Sequence, residues 1–131
     1  MLLMGAMLAA CATEPVQETG SSLSPWDRAR LRGVDFRAIG QEPGWLVDIE
    51  DGERITVLTD YGQSRTIVPA PAPETDGQAR TTYFVATGTH TLTVVLEDAP
   101  CQDVMSGEAF PVTVTMELDG QAYRGCGRYL S

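Results

Sequence analysis

The sequence predicts an all-β protein: a small antiparallel meander of about eight strands, closed or nearly closed into a barrel, with one short N-terminal helix. Three observations carry that expectation. Apolar and polar residues alternate over short runs, the period-2 pattern of a half-buried strand. Turn dipeptides separate the runs at short spacing: Asp51-Gly52, Gly88-Thr89 and Asp119-Gly120. The connections are short and sequential, which favours neighbours that pair, and closure removes the bare edges such a sheet would otherwise expose.

The helix comes first. In "SPWDRARLRG" (24–33), Ser24 can cap, Pro25 suits the first helical position and Asp27 completes a capping box. Arg28, Arg30 and Arg32 lie toward the C-terminal end, where cations suit the helix dipole, and Gly33 stops it. Trp26 is expected to pack across a barrel end. "VDFRAIG" then places Val34, Phe36 and Ala38 on one face, and "GWLVDIE" does the same with Trp45, Val47 and Ile49. Asp51-Gly52 turns the chain into "ERITVLTD", and a Tyr61-Gly62 break precedes "SRTIVP". "PAPAPETDGQA" (69–79) reads as an extended loop, because proline donates no ladder hydrogen bond and bars a central strand. "RTTYFVAT" and "HTLTVVLE" flank the Gly88-Thr89 turn. The clearest hairpin is "FPVTVTMELDGQAYRGCGRYL", with Val112, Val114, Met116 and Leu118 facing one way and Thr113, Thr115 and Glu117 the other.

A chain of 131 residues suits one domain, and 43% hydrophobic residues are enough for a packed core. The net charge is −9 and all nine basic residues are arginine. The balance lacks the basic footprint that nucleic acid requires. The absence of lysine excludes Schiff-base chemistry and lysine-based phosphate cradles. The same sign opposes adhesion of the protein as a whole to anionic lipid and favours a cationic partner or none.

The first ten residues of "MLLMGAMLAAC" are apolar or small and uncharged. A bilayer span needs about 20 such residues, so this run resembles the apolar region of a secretory signal. "LAAC" resembles the bacterial lipobox, in which the signal is cleaved before a cysteine that then carries lipid. The expected organisation is a cleaved signal at 1–10, a lipid-bearing Cys11 with a flexible polar tether to residue 23, and one domain at 24–131. Export places the remaining Cys101 and Cys126 in an oxidising compartment, where two thiols pair.

The stretch "CQDVMSGEAFP" (101–111) concentrates reactive groups and admits several chemistries. Cys101, Asp103, Met105 and Cys126 are possible metal donors, but they lack the Cys-x2-Cys or histidine pairs of structural zinc sites, and a bridge consumes both thiols. Ser106 is not in a G-x-S-x-G elbow, and the sole histidine, His90, lies in a distant turn. A redox thiol pair would favour C-x-x-C spacing. Residues 102–110 therefore read as a binding loop held at Cys101, containing Asp103, Met105, Ser106, Gly107 and Phe110; no catalytic residue, metal or cofactor is assigned. Trp45, after a glycine-rich approach, is either a core anchor of an inward strand face or a binding residue.

"FRAIGQEPGW", the C-x-D-x-M-S-G…F-P pattern at 101–111 and "DGQAYRGCG" together resemble a family of small bacterial envelope lipoproteins with no assigned activity. The resemblance covers roughly residues 34–130. More loosely, the architecture is similar to the membrane-bound inhibitors of c-type lysozyme, in which a Ser-Gly loop enters the enzyme's cleft. That similarity implies a cationic envelope partner met by Ser106 and Gly107, although the lysine that accompanies such inhibition is absent. The function expected is a non-enzymatic, lipid-anchored binding module facing the periplasm, with lysozyme-type inhibition as the alternative and a Ser106-dependent hydrolase as a third.

Overall fold

The computed structural model describes residues 22–77 and 79–131. The expected signal at 1–10, the lipidated Cys11 and the tether up to residue 21 lie outside the described residues.

Helix α1 (Pro25–Leu31) begins where its sequence says. The Ser24 side chain accepts from the Asp27 backbone N–H, and the Asp27 carboxylate accepts from the Ser24 backbone N–H, so the capping box is complete. Gly33, at φ 101°, ends it. The Gly33 N–H donates to the Arg30 carbonyl and the Val34 N–H to the Ala29 carbonyl, a Schellman closure that needs the left-handed conformation glycine adopts freely.

The rest is strand. β1 (Phe36–Gly40), β2 (Trp45–Glu50), β3 (Arg54–Thr59) and β4 (Ser64–Pro69) form one antiparallel meander. β5 (Glu74–Thr75), β6 (Arg80–Ala86) and β7 (Thr91–Glu97) form another, extended by β10 (Val112–Leu118) and β11 (Gln121–Tyr129). The first strand pairs with the last, Phe36 opposite Tyr129 and Ile39 opposite Cys126, which fuses the two into one sheet ordered β4-β3-β2-β1-β11-β10-β7-β6-β5. The sheet curls into a nearly closed half-barrel, with β4 and β5 as its unjoined edges. Beyond Pro69, which ends the edge strand β4, the proline-rich stretch contributes only the two-residue edge strand β5, as the missing proline donors require. Asp119 and Gly120 both take positive φ (50° and 87°), the two-residue turn whose twist matches an antiparallel hairpin.

The inward faces bury a continuous core that includes Phe36, Trp45, Val47, Ile49, Ile55, Val57, Leu92, Val94, Val114 and Met116. The outer face carries a second layer over β1 and β11, made of α1 and a small hairpin of β8 (Cys101–Gln102) and β9 (Ala109–Phe110). Trp26 does not cross a barrel end. It sits in this outer layer, its ring 5.6 Å from that of Phe110, with the Arg128 guanidinium 4.7 Å and the Arg37 guanidinium 5.8 Å from its centre. Arg37 points outward from β1 yet is buried beneath the helix. Its guanidinium holds the Asp48 carboxylate in a two-pronged contact at 2.6 and 2.7 Å, so neither buried charge is left alone.

Candidate functional site

Between β7 and β10 the chain leaves the sheet, and residues 101–110 lie on the outer surface of β11. The departure is fixed covalently: Cys101 is bonded to Cys126 of β11, Cα atoms 5.5 Å apart. Thr113 Oγ1 donates to the Ala99 carbonyl at 3.0 Å and ties the preceding turn to β10.

At the hairpin tip, Asp103 organises the loop. Its carboxylate accepts from the Ser106 N–H at 2.8 Å and from the Ser106 hydroxyl at 2.9 Å. Its backbone carbonyl accepts from the Gly107 N–H at 2.8 Å, and its own N–H donates to the Glu108 carbonyl at 2.9 Å. Ser106 Oγ in turn accepts from the Glu108 N–H at 3.1 Å. From β1's end, Gln41 Nε2 reaches the other Asp103 oxygen at 3.4 Å. Gly107, at φ 75°, makes the reversal without Cβ strain. Asp103 is only 5% exposed. The Ser106 N–H is the main cause that holds its carboxyl below the usual carboxylate range, and burial works against it.

With the polar groups turned inward on one another, the apolar ones face out. Val104 is 83% exposed and Met105 67%. Beside them runs a groove of about 310 Å³ lined by Gln41, Gln102, Asp103, Val104, Thr113 and Arg124 among others.

The predicted site residues thus separate. Asp103, Met105, Ser106 and Gly107 share one turn, with Met105 displayed and Asp103 structural. Phe110 is buried at the hairpin base, under the Arg128 guanidinium at 4.5 Å and against Trp26. Trp45 lies on the opposite, inward face of the sheet. It is buried, and its indole N–H donates to the Arg124 carbonyl at 3.3 Å. A Cβ at Gly40 would fall inside the indole, and one at Gly125 would strike the Ile39 carbonyl, so these glycines make the space Trp45 occupies. Of the two readings open in the sequence, the core anchor is the one seen.

His90 is not near Ser106. Its Nδ1 lies 2.7 Å from Asp119 Oδ2 at the Leu118 end of β10, whereas the 101–110 hairpin joins the Val112 end, about 20 Å away along the strand. Among the described residues no three His, Cys, Asp or Glu side chains converge as a metal set. Two contributors escaped the sequence reading. Val104 is adjacent to Met105, and an apolar pair inside an otherwise polar turn was a signal available to be read. Gln41 lies 62 residues from its partner Asp103, and nothing local marks it.

Fold and site define a class: a nearly closed antiparallel half-barrel bearing a disulfide-held outer loop. Comparison with family models, with curated proteins and with solved structures finds no match.

Proposed function

We propose that this chain is a non-enzymatic cell-envelope lipoprotein, anchored through Cys11, whose domain binds a partner through the loop at 103–107. The observation that carries this reading is the exposure of Val104 and Met105 on a loop whose backbone is already fixed. An apolar pair ordered before docking loses little entropy on binding, and its burial contributes about 25 cal/mol per Å². The Ser106 hydroxyl is engaged with Asp103 and His90 with Asp119, so Ser106 has no imidazole to take its proton, which supports a binding rather than a hydrolytic role. The Cys101–Cys126 bridge and the "LAAC" ending support an oxidising, extracytoplasmic location.

The anchor is tested by mass spectrometry of the mature protein from bacterial envelopes, with an acylated Cys11 expected. The loop is tested with a photo-crosslinking residue at position 104, compared with one at position 84 on β6. A defined adduct from 104, lost when Met105→Asp is added, is expected. Equal labelling from both positions sinks the loop assignment. A second reading, inhibition of a cationic lysozyme-type enzyme, draws on the −9 charge and the Ser106-Gly107 turn. Unaltered turnover of c-, g- and i-type lysozymes at micromolar protein would remove it.

A further inference from the structure

The arginines of this acidic protein are not spread evenly. Arg28 and Arg30 lie on α1 and Arg32 is its C-cap, with one carboxylate on the helix, Asp27, which is occupied in the capping box. Past the helix, toward the β4 edge, the outer face of β2, β3 and β4 adds Arg54 and Arg65. Arg32, Arg54 and Arg65 line one shallow groove of about 350 Å³ with Asp48, Glu50, Thr56 and Ile67. Both acids of that groove are engaged: Asp48 by Arg37 at 2.6 Å and Glu50 by Arg54 at 2.6 Å. With Arg37, which is buried beneath the helix, six arginines stand here against three carboxylates, each already engaged. Further acids, Asp35, Asp51 and Glu53 at one end and Asp60 at the other, sit at its rim. Exposed apolar side chains accompany the arginines: Leu31 on the helix at 66% and Ile67 on β4 at 52%.

The position of this face matters as much as its charge. The described chain begins at Ser22, immediately before α1. Between Cys11 and Ser22 there are eleven residue steps, which in any conformation reach at most about 40 Å. A lipid on Cys11 therefore keeps this face within reach of the membrane and at high effective concentration toward it. The hairpin that displays Val104 and Met105 lies on the β11 side of α1, away from the groove, and stays accessible when the β4 side is covered.

Resting on the lipoprotein reading above, we propose that α1 and the outer face of β3–β4 lie on the anionic headgroups of the membrane that holds the anchor. The arginines contact lipid phosphates, Leu31 and Ile67 enter the headgroup layer, and the acidic remainder points away. The repulsion expected from the total charge is met by orientation: the arginine-rich face turns to the surface, where Asp48 and Glu50 are already paired with arginines.

The test uses the full chain coupled through the Cys11 thiol to a maleimide lipid, so that attachment does not depend on natural acylation. Amide hydrogen exchange is then compared on vesicles of phosphatidylcholine alone and with about 40 mol% phosphatidylglycerol. Amides of 26–33 and the outward edge of β4 should exchange at least about fivefold more slowly on the anionic vesicles, and raising salt to about 0.5 M should abolish the difference. Each arginine removed should weaken the contact about fivefold, so Arg30→Ser/Arg32→Ser/Arg65→Ser should lose it about a hundredfold. Arg80→Ser, at the far edge of the sheet, should retain it, and thermal melts confirm that all variants fold. Equal exchange on both vesicle types, or slowing confined to 103–107, overturns the proposal. An unmodified Cys11 in the native envelope would instead sink the anchor reading and leave this result standing.

Discussion

Removal of the Cys101–Cys126 bridge is the sharpest test of how the outer loop is held. The two residues are 25 apart. In the chain-entropy description, closing a loop of that length in the unfolded chain costs it about 12 cal/mol/K, or about 3.5 kcal/mol at 25 °C. The folded loop has other ties: the β8–β9 pairing, the Thr113–Ala99 hydrogen bond, the Asp103 turn and Phe110 packed under Arg128. The native geometry should therefore persist in Cys101→Ala/Cys126→Ala, and the loss should come almost wholly from the freed unfolded state. Alanine is the suitable replacement because Cys126 is buried and a serine hydroxyl there would need a partner. With an m-value of about 2 kcal/mol/M, the urea midpoint should fall by about 1.7 M, and m should rise because the freed unfolded chain is less compact. A fall below about 0.5 M would refute the reasoning, since the bridge would then be closing a loop already closed by something else. The amide spectrum decides the native side: if resonances of 103–108 collapse in the double variant, the bridge orders the folded loop itself.

Other outcomes follow from particular contacts. Asp48→Ala leaves the Arg37 guanidinium buried without its counter-charge and should cost about 3–5 kcal/mol, whereas Arg37→Met/Asp48→Leu should recover most of it in chemical denaturation. Gly125→Ala should cost at least about 3 kcal/mol, because the new methyl meets the Ile39 carbonyl and the Trp45 ring; near-wild-type stability would contradict the packing. Asp103 has its folded-state pKa below the unfolded one, so its contribution is full above the ordinary carboxylate range and drains as pH falls through the lower, folded value. Amide shifts of 103–108 should accordingly move below about pH 4 in the native protein and stay still in Asp103→Asn. Tyr83 runs the other way. Burial first, and then its hydrogen bond to Asp51, raise its hydroxyl above the ordinary tyrosine range. Its contribution is full below about pH 10 and is lost as pH climbs past that value, so Tyr83→Phe should flatten the alkaline limb of a stability–pH curve.

Much of the fold was legible because strand patterning is local. Val112, Val114 and Met116 alternate with Thr113 and Thr115 in the sequence, and the sheet pleat reproduces that alternation directly. The Asp119-Gly120 turn and the Ser24–Asp27 box are equally local, each fixed by residues within a few positions of one another. The site was legible in outline only. The loop at 101–110 announces itself by its turn residues, and Met105 emerged among its exposed groups. Phe110 and Asp103, equally conspicuous in sequence, are buried, because the partners that cover them, Trp26, Arg128 and Gln41, come from other parts of the chain. Trp26 shows the same limit: its helix is readable, but which side of the sheet receives it is not.

By itself, the sequence determined an all-β chain with one capped helix, a net charge of −9, and a cysteine pair separated by 25 residues. These rest on composition and on interactions between near neighbours, which one strand of text contains. Only the tertiary structure decided that β1 pairs with β11, that α1 and the 101–110 hairpin share the outer face, and that arginines from α1, β3 and β4 gather on one surface. Each of those is a contact between segments tens of residues apart, and the cost of bringing them together is recovered only when the whole sheet has curled and its core has closed.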